Sequence, residues 1–181
     1  MHKNPWKIVG YKEIYDNNWI HLKEYKVINP TGGLGIYGKV FFKNRAVGIV
    51  ALDAEKNVYL VGQYRFTIDQ YSWEIPEGGS PEHEDLLISA KRELKEETGI
   101  QAHSWQRILD MHLSNSVTNE FGCVFLATEL EFGEAEPEET EELILRKIPL
   151  DEAIEMINNG EITDSLTVAG LLKTKLLTLE K

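Results

Sequence analysis

Glu84, Arg92, Glu93, Glu96 and Glu97 lie between two glycines, Gly78 and Gly99, in the spaced pattern G-x5-E-x7-R-E-(aliphatic)-x-E-E-x-G-(aliphatic), which Leu94 and Ile100 complete. On a helix, Glu93 and Glu97 stand one turn apart and Glu96 lies beside them, so three carboxylates share one neighbourhood. Like charges at that spacing repel by roughly 0.2–0.5 kcal/mol per pair, and only Arg92 and Lys95 offset them locally. A hard divalent cation removes the repulsion, because Mg2+ and Mn2+ prefer carboxylate oxygens and share their shell with water and phosphate oxygens. Taken alone, the run KRELKEE reads as an ordinary solvated helix face. Such a face needs neither Glu84 two turns upstream nor the entry Gly78-Gly79, where missing side chains let backbone approach a ligand.

The elements that must position these groups are legible from periodicity. Pro81–Glu97 has no internal Gly and, after Pro81, no Pro. Its apolar residues Leu86, Leu87, Ala90 and Leu94 fall in helical rhythm, which predicts an amphipathic helix capped by Ser80, opened by Pro81 and stopped by Gly99. Before it, 6–15, 19–28, 38–43, 46–53 and 58–65 are rich in β-branched and aromatic residues and predict strands. Turn signals at Asp16-Asn17-Asn18, Asn29-Pro30 and Thr31-Gly32-Gly33 separate the early ones. After it, 104–112, 121–130 and 142–148 predict strands, and 150–158 and 164–178 predict two helices, the first ended by Gly160.

A chain of 181 residues with 42% hydrophobic content suits one compact catalytic domain with a short appended element. With 19 Lys and Arg against 30 Asp and Glu, the net charge of −11 argues against a nucleic-acid or anionic-membrane surface. An anionic substrate then needs a metal intermediary. The single Cys123 sits in an apolar run and reads as a buried thiol in a reducing cytosol, and the N-terminal residues lack the apolar core of a signal peptide. The expectation is a cytoplasmic protein with neither nucleic acid nor membrane as partner.

The spaced pattern resembles the Nudix box. That resemblance implies an α/β fold, the Nudix α/β/α sandwich with a mixed sheet, preceded by an N-terminal antiparallel β-hairpin subdomain. The expected division is 1–43 for dimerisation and substrate and 44–181 for hydrolysis. The stretch Val61-Gly-Gln-Tyr-Arg65 followed by Tyr71-Ser-Trp-Glu-Ile-Pro-Glu-Gly-Gly79 is similar to the ADP-ribose and nucleoside-diphosphate-sugar branch. In that branch the arginine matching Arg65 faces the substrate phosphates, and the N-terminal hairpin is exchanged across a homodimer. On residue type alone Arg65 also reads as a solvated strand-end arginine, while a planar fork matches phosphate bidentately. One departure stands out. The loop Leu113–Glu120 lacks the proline of the Ser-Pro-Gly stretch common in ADP-ribose hydrolases, leaving room for GDP-mannose or another nucleotide sugar.

The resemblance implies Mg2+, with Mn2+ as the alternative, held by Glu93, Glu96, Glu97 and the backbone carbonyl of Glu77. It also implies Arg92 paired with Glu84 so as to orient the helix. The general base of the branch comes from a mobile acidic loop, here 136–142, with Glu139 the first choice and Glu141 the second. Glu120 reads as a second-site ligand, a sugar contact or an exposed strand-start carboxylate. Trp6, Tyr15, Trp19 and Tyr71 are available to clamp a base, and an exchanged hairpin would carry Trp6 to the partner's site. The expected reaction splits a nucleoside diphosphate sugar into nucleoside monophosphate and sugar phosphate. The rivals are a dinucleoside polyphosphate or nucleoside triphosphate pyrophosphohydrolase, and a noncatalytic nucleotide-sensing domain.

Overall fold

The turn residues of the first third act through their side chains. Asn17 Oδ1 accepts the backbone N–H groups of Trp19 (2.9 Å) and Ile20 (2.8 Å), closing strand β1 (Lys7–Asp16) onto β2 (Ile20–Ile28). Asn29 Oδ1 does the same for Thr31 (3.1 Å) and Gly33 (2.8 Å), with Gly32 at φ 92°, and returns the chain as β3 (Leu34–Phe42). The third strand starts at Leu34 rather than Gly38. Its ladder with β2 runs unbroken from Ile20↔Phe42 to Ile28↔Leu34, so cross-strand pairing holds Gly35 and Gly38 extended against their weak propensity.

These coordinates are a computed structural model that describes residues 3–135 and 142–179, and the chain divides into two compact units. The first holds the antiparallel sheet β1-β2-β3 together with the later segment His112–Phe121. Asn119 Oδ1 accepts from Phe42 N–H at 2.7 Å, Val117 O from Val40 N–H at 2.9 Å, and the Tyr37 hydroxyl donates to Ser116 O at 2.5 Å. Among the described residues, Val27 is the one buried apolar side chain of this unit, whereas Ile8, Val9, Trp19, Leu34 and Ile36 are mostly exposed.

The second unit, Ala46–Met111 with Gly122 onward, carries the core. Strand β4 (Asn44–Ala51) pairs in parallel with β9 (Phe121–Phe132), and both are apolar runs, as a strand covered on both faces requires. Their sheet has the order β7-β4-β9-β8, with β7 at Glu77–Pro81 and β8 at Ile100–His112. A second, antiparallel sheet, β10-β5-β6, is built from β5 (Asn57–Arg65), β6 (Gln70–Glu74) and β10 (Ile144–Pro149). Helix α2 (Leu150–Asn158) packs on β10, β5 and helix α3 (Ser165–Leu179). Gly170 lets α3 close on the sheet, since a Cβ there would lie 3.0 Å from Val124 and 3.1 Å from Val50. The mixed α/β architecture agrees with the sequence expectation.

Helix α1 (Leu86–Thr98) begins later than its sequence suggests. Ser80 and Pro81 end strand β7, which pairs with β4, and a turn from Glu84 N–H to Pro81 O (3.0 Å) follows. Asp85, in extended conformation, is the cap: its Oδ1 accepts Leu87 N–H at 2.9 Å. The far end is as expected, with Gly99 at φ 72° and its N–H on Lys95 O at 2.8 Å. Asp85→Ala is expected to cost about 1 kcal/mol of stability, read as a lower urea-unfolding midpoint; an unchanged midpoint contradicts the cap. Among the described residues no helix is long and apolar enough to cross a membrane.

Candidate active site

Helix α1 buries Leu86 and Leu94, each worth roughly 1.5–3 kcal/mol, and the smaller Ala90, and this fixes the rotation of its acidic face. That face meets strand β7 at a place without side chains. A Cβ on Gly78 would run into the Glu93 carboxylate, so glycine there lets Glu93 lie directly on backbone. One turn on, Glu97 is 5% exposed and its Oε2 accepts Glu77 N–H at 3.1 Å. Arg92 gathers the same carboxylates. Its Nη1 lies 2.8 Å from Glu93 Oε1 and 2.9 Å from Glu96 Oε2, and its Nη2 donates to Gly79 O at 3.0 Å. The expected pairing of Arg92 with Glu84 is the longest of the set, at 3.9 Å. Burial works against the Arg92 charge, but Glu93 and Glu96 more than compensate and raise its pKa. Helix, loop and β7 are thereby tied together through one guanidinium.

A second arginine meets the first side chain of β7. Arg65, at the end of β5, donates from Nε to both oxygens of Glu74 (2.9 and 3.0 Å) and from Nη2 to Glu74 and to Glu77 Oε1 (2.9 Å). Glu74 is 2% exposed, and Asp164, ahead of helix α3, completes a group of acids whose oxygens lie within 4.8 Å of one another. Burial opposes the Arg65 charge, yet Glu74 above all, then Glu77 and Asp164, keep it firmly protonated. The Glu77 carboxyl is pushed well above the usual carboxylate range, by burial first and then by Asp164 and Glu74, against the pull of Arg65. Its Oε2 is buried without a hydrogen-bond partner.

The sequence therefore nominated a set that the fold largely brings together. Arg65 bonds Glu77, Glu77 bonds Glu97, Glu93 lies on Gly78, and Arg92 bonds Glu93 and Glu96. Trp6 and Glu120 belong to the first unit. There Trp6 packs edge-on against Tyr37 with ring centroids 5.3 Å apart, and the Glu120 carbonyl lies 3.3 Å from His112 Nδ1. Glu139 and Glu141 lie outside the described residues. Sequence reasoning missed Glu74, Asp164 and the side chain of Glu77, having considered only the carbonyl of the last. The one available signal was Glu74 between the apolar Trp73 and Ile75, an acid in a strand position that faces the interior.

The donors suit a hard cation. All are carboxylate or carbonyl oxygens, Glu97 is buried at the helix end, the glycine cradle holds Glu93 on the backbone, and the orphaned Glu77 Oε2 is a further oxygen without a partner. Such a set favours binding of a polyanion through a divalent ion, with two arginines bonded to its members.

Comparisons with known proteins agree with this geometry. The NUDIX domain model matches residues 42–166. The chain is 32% identical to an ADP-ribose pyrophosphatase of Mycobacterium tuberculosis strain H37Rv, over 98% of this chain and 87% of that protein. It is also 32% identical to an ADP-ribose pyrophosphatase of Bacillus subtilis strain 168, over 91% of this chain and 90% of that protein. A solved structure of an ADP compounds hydrolase superposes with a TM-score of 0.88 at 18% identity, covering 99% of this chain and 97% of that one, which is a likeness of fold.

Proposed function

The chain belongs to the NUDIX hydrolase family, and on that footing we propose that it hydrolyses the pyrophosphate of nucleoside diphosphate sugars of the ADP-ribose type. The products are a nucleoside monophosphate and a sugar phosphate. The observation that carries this reading is the placement of Glu93 on the bare backbone at Gly78 and of Glu97 on the Glu77 N–H, with Glu96 joined to Glu93 through Arg92 and Arg65 joined through the Glu77 carboxyl. The relatives named ADP-ribose pyrophosphatase support the sugar branch over triphosphates and dinucleoside polyphosphates.

In this reading Glu93, Glu96, Glu97 and the carbonyl of Glu77 hold Mg2+, or Mn2+ in its place. Bound there, the ion supplies positive charge for the diphosphate oxygens and lowers the pKa of a water. The protein's own groups do the rest. Arg92 keeps the glutamates of α1 in position through its fork and its bond to Gly79 O. Arg65 offers a charged donor to a phosphate oxygen, because its Nη1 has no hydrogen bond among the described residues. Glu139, or Glu141 in second place, takes the proton of the attacking water as general base. Trp6 stacks on the nucleobase and Glu120 contacts the sugar. The same chemistry extends to GDP-mannose, since nothing in the phosphate-binding set selects the base.

The protein works in this reading as a cytoplasmic homodimer with exchanged N-terminal hairpins. Residues 1–43 serve the dimer and the substrate, and 44–181 serve the chemistry. The apolar residues that the β1-β2-β3 sheet leaves exposed support a self-association surface of this kind. Sedimentation velocity is expected to give about twice the mass of 20.7 kDa; a monomer at micromolar concentration contradicts the exchange. The activity itself is tested with purified protein in Mg2+, offered ADP-ribose, GDP-mannose, other nucleotide sugars, dinucleoside polyphosphates and nucleoside triphosphates, with products identified by mass. Monophosphate plus sugar phosphate is the expected pair. Free pyrophosphate from triphosphates, or tight binding without turnover, would replace this reading with one of its rivals.

A further inference from the structure

Arg65 pairs across β5 and β6 with Gln70, whereas Glu74 stands opposite Val61. The alternation of side chains puts positions 65 and 74 on one face of this ladder, and the guanidinium is turned back along the strand to reach Glu74. Its two carboxylate partners are not equivalent. Glu74 is buried and both its oxygens accept from Arg65, a saturated, charge-assisted arrangement. Glu77 takes one bond from Nη2 through Oε1, its other oxygen is buried without a partner, and its carboxyl stands close to the acids Glu74 and Asp164. A carboxylate so placed binds weakly, since repulsion and an unsatisfied oxygen both count against it. Glu77 also opens strand β7, whose Glu77 N–H and Gly79 carbonyl meet side chains of α1.

We infer that Arg65 is held from two sides for two purposes: Glu74 is a positioning residue that aims it, and the Glu77 carboxylate occupies, in the substrate-free protein, the place of a substrate phosphate oxygen. This rests on the nucleoside diphosphate reading above. An incoming diphosphate carries more negative charge than Glu77 and displaces it from Nη2, gaining a two-pronged grip through Nη1 and Nη2, while Glu74 retains Nε. The site is thus shut by one of its own acids until a stronger anion arrives, which disfavours singly charged anions.

The test is a set of Michaelis constants for ADP-ribose in Mg2+ with wild type, Glu74→Gln, Glu77→Gln and Arg65→Ala, with melting temperatures alongside. Glu74→Gln is expected to raise KM about tenfold, with kcat changed far less, and to have no further effect in the Arg65→Ala background. Glu77→Gln is expected to lower KM by about threefold, since a neutral amide competes less well for the guanidinium. A purely structural ion-pair cluster would move both constants the same way, and that outcome, or either KM left unchanged, overturns the inference. Glu74→Asp, which keeps the charge but shortens the reach, substitutes if Glu74→Gln does not fold, and is expected to raise KM as well. A wild type that cleaves no nucleotide sugar would instead overturn the functional reading itself.

Discussion

Glu97→Gln is expected to lower kcat on a nucleoside diphosphate sugar by about a thousandfold while the protein stays folded. The amide keeps an oxygen able to accept Glu77 N–H, so the 3.1 Å bond that ties β7 to the helix survives. What is lost is one negative charge among hard oxygen donors, at a buried position where water cannot replace it. Stability should change by less than about 1 kcal/mol. The paired measurement is kcat beside the melting temperature. Retained turnover would remove Glu97 from the metal set, and a collapsed melting temperature would make it a structural acid.

Gly78→Ala is the second large effect, and it separates geometry from charge because no acid is altered. The added methyl meets the Glu93 carboxylate, the far end of a flexible side chain, so the fold yields cheaply, by about 1 kcal/mol. The carboxylate, however, must leave the backbone it lies on. A displacement of about 1 Å at a catalytic centre costs on the order of a hundredfold in rate. Turnover close to wild type would show that the position of Glu93 against β7 does not matter to the chemistry.

How far the site could be read without the structure follows from how local each signal is. The carboxylates of α1 were legible because the helix is continuous in sequence and its period places them. The helix start was misplaced for a reason equally local: Ser80-Pro81 has the composition of a cap, and only the pairing of β7 with β4 shows that this dipeptide ends a strand and leaves Asp85 to cap. Glu74 and Asp164 were invisible for the opposite reason. Glu74 is met by the long side chain of Arg65 turned back along a strand, and Asp164 adds its charge near Arg65 from a position far down the chain, just ahead of α3. A buried acid announces itself only when its counter-ion is in view. The first unit shows the same limit. Residues 113–120 read as a polar loop, yet their carbonyls and amides meet the edge of β3, so the unit is discontinuous in sequence.

Cleavage of ADP-ribose, with products identified by mass in Mg2+ and again after chelation, tests the central claim most directly. The account predicts AMP and ribose 5-phosphate in equal amounts with the metal present and neither product once it is removed. Turnover that survives the chelator, or release of inorganic pyrophosphate in place of the two monophosphates, would contradict it.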